Sequence, residues 1–116
     1  MKKLPTSSPA QEDQLDRVFH ALADRTRRAL MARLAQSPHT ITELAAPFEM
    51  SLPAVSKHIR VLEQGGLVAR AVDGRIHRCS LSVQSLQHAD QWLAHYRVFW
   101  GGSLESLARY VERASG

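Results

Sequence analysis

The run SLPAVSKHIRVLEQGG, residues 51–66, constrains the fold more than any other stretch of this chain. Ser51 is a natural helix N-cap, because its hydroxyl can accept from a backbone N–H two or three residues on. Pro53 falls in the first turn, where a missing N–H leaves no bond unmade. Val55, Ile59 and Leu62 recur at i, i+4 and i+7, one apolar stripe on a helix that extends to about Gln64. Gly65-Gly66 then supplies a left-handed stop. The other side carries Ala54, Lys57, His58 and Arg60, with Ser51 and Ser56 near the start, and no acid occurs from Ser51 to Leu62. A carboxylate on that face would repel phosphate, so its absence suits a helix that lies against a polyanion.

The segments upstream give this helix its setting. Leu15, Val18, Phe19 and Leu22 place a first helix over about Glu12 to Ala23, after a tail of residues 1–11 read as flexible. Asp24 caps a second helix from Arg25 to about Ala35, whose apolar side is Ala29, Leu30 and Leu34. Residues 36–40 (QSPHT) read as a turn. Thr42 and Glu43 open a short third helix through Leu44, Ala45 and Phe48, with Pro47 in its last turn, and Glu49-Met50 is a tight connection. A short helix joined by a few residues to a second is a helix-turn-helix unit, in which the first braces the second for insertion into the major groove.

Downstream the texture changes to strand. LVARAV and RIHRCSL flank Asp73-Gly74, a two-residue hairpin signal that would pair Val72 with Arg75 and Arg70 with His77, and set Cys79 opposite Val68. Arg70, Arg75 and Arg78 would then cluster near the tip, where a wing meets the DNA backbone. Ser82 or Ser85 caps a long final helix whose apolar register runs on to Val111 across Gly101-Gly102. The predicted fold is mainly α with a small β-hairpin, a winged helix-turn-helix forming one domain over residues 12–114.

Charge agrees with this layout. The chain of 116 residues carries 15 Lys and Arg against 11 acids. The whole surplus lies between Asp24 and Leu81, where nine bases meet five acids, and both ends are balanced. The single cysteine, Cys79, excludes an internal disulfide. The start MKKLPTSSPA has no apolar stretch behind its lysines, and no run approaches the roughly 18 apolar residues of a membrane span, so the expected location is the cytoplasm, with no membrane partner.

Three runs together resemble the ArsR/SmtB family of winged-helix repressors: FHALADRTRRALMARLA (19–35), TITELAAPFEMSLPAVSKHIRVLEQGGLV (40–68) and GRIHRCSL (74–81). The resemblance covers roughly Asp16 to Val111. It implies that Ser56, Lys57 and His58 face DNA, that the first and last helices build a homodimer, and that the chain represses transcription from a promoter operator. The expected DNA contacts are Ser51, Ala54, Ser56, Lys57, His58 and Arg60, with Arg70, Arg75 and Arg78 from the wing. The expected dimer contacts are Leu15, Val18, Phe19, Trp92, Leu93, Tyr96, Trp100, Leu104 and Leu107.

Many members of that family sense metals. The cysteine pair expected near Thr42 to Ala46 is absent, since the segment reads TELAA. His88, Asp90 and His95 on the last helix make an incomplete zinc or nickel set, because Arg97 and Trp100 stand where a second His pair belongs. The reading is therefore no metal and no cofactor, with hydrated histidines on a helix edge; a metal- or small-molecule-responsive repressor using these last-helix His/Asp or aromatic residues is the alternative. Trp92, Tyr96, Phe99, Trp100 and Tyr110 fit a packing stripe better than an effector pocket, and the effector is left unassigned. Cys79 reads as a small strand residue rather than a redox switch. His20, His39 and His77 receive no role. Nucleophile elbow, HExxH and phosphate loop are all missing, which argues against an enzyme. A winged-helix module that binds protein instead of DNA is the other alternative, and the basic hairpin and acid-free helix weigh against it.

Overall fold

A computed structural model describes residues 8–115, and their side chains except those of 101–106 and 115. The order is α1 (Pro9–Leu22), α2 (Arg25–Gln36), β1 (His39–Thr40), α3 (Ile41–Ala45), a 3₁₀ turn (Ala46–Phe48), α4 (Leu52–Gln64), β2 (Val68–Asp73), β3 (Ile76–Leu81) and α5 (Gln84–Ser115). The fold is mainly helical with a small antiparallel sheet, a winged helix-turn-helix as the sequence implies.

Local chemistry sets the helix ends. Helix α1 begins at Pro9, three residues before the expected start, because Ser8 and Gln11 close a reciprocal capping box. Asp24 caps α2 by accepting from the Arg27 N–H at 3.0 Å. Helix α3 is capped by Thr40, whose hydroxyl accepts from Glu43 N while the Glu43 carboxylate accepts from Thr40 N. That box starts α3 ahead of Thr42 and leaves His39 and Thr40 extended, so they pair with β3 as a third strand. The QSPHT segment is therefore part strand, and the sheet order is β1-β3-β2.

Glu49 has φ 50°, a left-handed conformation uncommon for a residue with a side chain, and it turns the chain from the 3₁₀ segment towards Ser51. At the other end of α4, Gly66 has φ 72°; its N–H donates to Glu63 O and that of Leu67 to Leu62 O. This is the paired bonding of a Schellman stop.

The core gathers Val18, Ala21, Leu30, Leu34, Leu44, Val55, Ile59, Leu62, Leu67 and Cys79 from every layer. Val18 is fully buried within the single chain, which corrects its expected place in a dimer interface. Helix α1 has apolar side chains on a face wide enough to serve two purposes; Val18 and Ala21 face inward, while Leu15 and Phe19 are only partly buried against the core.

The hairpin register also differs from expectation. The two turn residues are Gly74 and Arg75, so Asp73 pairs with Ile76, Val72 with His77 and Arg70 with Cys79. Gly74 has φ 63° at the first turn position, a place where a two-residue hairpin turn requires glycine. Cys79 lies between Arg70 on β2 and His39 on β1, and burial pushes its thiol pKa up. Helix α5 continues through Gly101-Gly102 without a break. No helix among the described residues is long and apolar enough to cross a membrane.

Candidate nucleic-acid interface

Helix α4 is divided sharply between two environments. Val55, Ile59 and Leu62 are fully buried, which fixes the rotation of the helix and leaves the opposite face outward. Ser51 caps it, its hydroxyl accepting from Ala54 N at 3.3 Å. Leu52, Lys57 and Arg60 are exposed, and Ala54 and Ser56 are half-buried beside them. Lys57 and Arg60 make no ion pair among the described residues, so their charges are available to a partner.

His58 is more constrained than the sequence implies. Its Nδ1 lies 3.3 Å from Nη1 of Arg27 and 3.9 Å from the Asp24 carboxylate. A guanidinium has no lone pair, so Nδ1 of the neutral ring accepts and its hydrogen sits on Nε2. Arg27 is itself held by Ala21 O at 2.8 Å and His20 O at 2.9 Å. The imidazole is thus braced by α2 and offers one N–H donor. Nothing in local spacing signals the Arg27 partner, which is 31 residues away.

The wing supplies a second cationic element. Arg75 is exposed in the turn, and Arg78 is exposed on the ladder face opposite to Cys79. Neither forms an ion pair among the described residues. Arg70 does not join them at the tip. Because it shares a face with buried Cys79, its side chain turns inward and donates to the Glu63 carboxylate at 2.5 Å, with His77 Nδ1 at 3.2 Å. That corrects its expected role as a free wing cation; His77, expected directly opposite Arg70, is offset on the ladder and still meets its guanidinium.

A cleft of about 490 Å³ separates the start of α4 from the wing. Thr40, Thr42, Ser56, Arg70, Arg75, His77 and Arg78 line it together with the apolar Ile41, Leu52, Pro53 and Ile76, and no acid lines it. Thr40 and Thr42 were not singled out in the sequence, where they read as turn and helix opening. The cleft thus sets hydroxyl and guanidinium groups, donor types that hold phosphodiesters, around a largely apolar lining.

At the far end of the molecule, α5 exposes Trp92, Tyr96, Phe99, Trp100, Leu107 and Tyr110, and Leu93 is half-buried among them. The Phe19 ring meets Trp92 edge-on with centroids 5.5 Å apart, and Trp92 lies 4.9 Å from Tyr96. Helices α1 and α5 thus build one aromatic surface that is partly open to water. The Leu104 side chain lies outside the described residues. On the same helix Asp90 pairs with Arg97, which draws that carboxylate away from His88 and His95.

Comparison with known proteins agrees with this fold. The Helix-turn-helix domain family matches residues 22–71. The HTH-type transcriptional regulator Rv2034 of Mycobacterium tuberculosis is 51% identical over 53 residues, which span 46% of this chain and 50% of that protein. The transcriptional repressor SdpR of Bacillus subtilis is 28% identical over 82 residues, 71% of this chain and 91% of that protein. The match to Rv2034 therefore spans only half of that relative's length. Among solved structures, ArsR family transcriptional regulator RHA00566 superposes with a TM-score of 0.71 at 41% identity, covering 76% of this chain and 97% of that one. Mb0332 of Mycobacterium bovis, described as a homodimeric winged helix-turn-helix DNA-binding domain, gives a TM-score of 0.63 at 26% identity, covering 84% of this chain and 89% of that one.

Proposed function

Since the chain belongs to the ArsR family of winged helix-turn-helix transcriptional regulators, we propose that it is a sequence-specific repressor that binds a palindromic operator as a homodimer. The observation that carries this reading is the outward face of α4, cationic and free of acid as far as Leu62, set beside the unpaired wing arginines across an acid-free cleft. Ser51, Ala54, Ser56 and His58 meet base edges in the major groove, Lys57 and Arg60 flank them, and Arg75 and Arg78 hold the backbone. Two-fold pairing through the α1–α5 aromatic surface spaces two α4 helices about one turn of DNA apart, roughly 34 Å.

The test is a titration of duplex DNA across a salt series. The four cations of the proposed interface (Lys57, Arg60, Arg75 and Arg78) give eight in a dimer, so log K should fall against log salt with a slope of about −7. A slope near zero would point to a protein-binding module and end the DNA reading. Light scattering at micromolar concentration should give twice the chain mass, and a monomer would exclude the palindrome.

A further inference from the structure

Helix α4 is acid-free up to Leu62, and the next residue is Glu63. A carboxylate on the helix meant for DNA opposes binding unless something neutralises it. Arg70 does so from β2, its Nη2 2.5 Å from the carboxylate, and its Nη1 lies 3.2 Å from His77 Nδ1 on β3. The third edge of the guanidinium, Nε, is buried without a partner. A donor left unmatched inside a protein is costly, so this geometry is held by the other two contacts rather than by its own comfort.

We propose that Arg70 is a positioning residue and not a DNA contact. Together with Glu63 and His77 it forms a strut that sets the pitch of the wing against α4; the inference rests on the DNA-binding reading above. The strut ties the last turn of α4 to both strands of the hairpin, a few residues beyond the point where the chain leaves the helix. Arg75 lies five residues further along, about 16 Å at the rise of a strand. A pitch change of about 10° there moves the tip by about 3 Å, the length of a hydrogen bond. The width of the cleft, and so the reach of Arg75 and Arg78, is set at this joint.

Three variants test the strut: Glu63→Ala, Arg70→Met and the exchange Glu63→Arg/Arg70→Glu. Binding is titrated on a mixed-sequence duplex of about 30 base pairs across a salt series. Glu63→Ala should weaken binding about fivefold, although it removes a negative charge. Arg70→Met should weaken it by a similar factor and leave the salt slope unchanged. The exchange should return affinity to within about twofold of the parent. Amide exchange of Val72–Ile76 measured without DNA should quicken in both single variants and recover in the exchanged pair. Tighter or unaltered binding by Glu63→Ala, or a salt slope reduced by about one in Arg70→Met, would show Arg70 to be a phosphate contact and overturn the proposal. So would unaltered amide exchange in folded Glu63→Ala, whose replaced carboxylate is only half-buried. Loss of salt-dependent binding in the parent protein itself would instead refute the DNA reading, whatever the hairpin does.

Discussion

The Arg27 guanidinium on α2 donates to His58 Nδ1 on α4 at 3.3 Å, so a helix that never enters the cleft decides which edge of that imidazole faces outward. The neutral ring is held with its hydrogen on Nε2. Arg27→Met removes the donor and should convert one tautomer into a mixture, visible in the imidazole nitrogen shifts of His58. On duplexes enriched by selection, the same variant should lose base discrimination on the order of tenfold, the worth of one well-placed donor. Unchanged nitrogen shifts would mean that the ring is fixed by something other than Arg27.

Ser56 and Arg75 are expected to fail in different ways. Ser56 stands on α4 where it can read base edges; Arg75 stands at the wing turn, near the backbone. Ser56→Ala should alter sequence preference and leave the salt slope alone. Arg75→Ala should weaken all duplexes about equally and lower the slope by about two per dimer, one for each copy. Reversal of the two outcomes would exchange the roles of helix and wing.

Gly66→Ala should be severe. The φ of 72° at this position costs a residue with a side chain roughly 1–2 kcal/mol. A Cβ there would also drive into Ser85 Oγ, a buried hydroxyl that accepts from Gln14. The joint links α1, the end of α4 and the start of α5, so there is no soft neighbour to yield. Unfolding free energy should drop by more than about 2 kcal/mol. The pair Gly66→Ala/Ser85→Ala should regain the clash portion and not the backbone portion. Denaturant titration of these two variants and of Ser85→Ala alone separates the two contributions.

Helix α4 was legible because its cap, stripe and stop are all local: Ser51, the Val55–Ile59–Leu62 row and Gly65-Gly66 need no distant partner to be recognised. Asp24 was legible for the same reason. The features that escaped depend on contacts far apart in sequence. Strand β1 is two residues long and exists only because β3 offers it an edge. The Asp73-Gly74-Arg75 run admits two turn placements, and the requirement for glycine at the first turn position selected the second. Arg70 reads as a free cation until Cys79, small and apolar, draws its side of the ladder inward. Val18 shares a wide apolar face with Leu15 and Phe19, and spacing alone does not say which row meets the core and which remains for a partner.

Asp24 supplies the last expectation, a pH dependence at the acid end. Its carboxylate accepts from Arg27 N, and chiefly this bond, with help from the charges of Arg27 and His58, holds its pKa below the ordinary value. A group that binds its proton less readily folded than unfolded adds stability above the ordinary carboxylate range near about 4, and that contribution fades as pH falls through the folded value. Asp24→Ala removes the cap as well and should cost about 0.5–2 kcal/mol at pH 7. Asp24→Asn keeps a capping oxygen and loses only the titration, so its deficit at pH 7 should be a few tenths of a kcal/mol, the scale of a charge at a helix start. Denaturant titrations at descending pH should then find the curves of the parent and Asp24→Asn converging once the pH falls below the ordinary carboxylate range. A gap that persisted or widened on acidification would mean that the cap acts through geometry alone, with the Arg27 bond indifferent to the charge it receives.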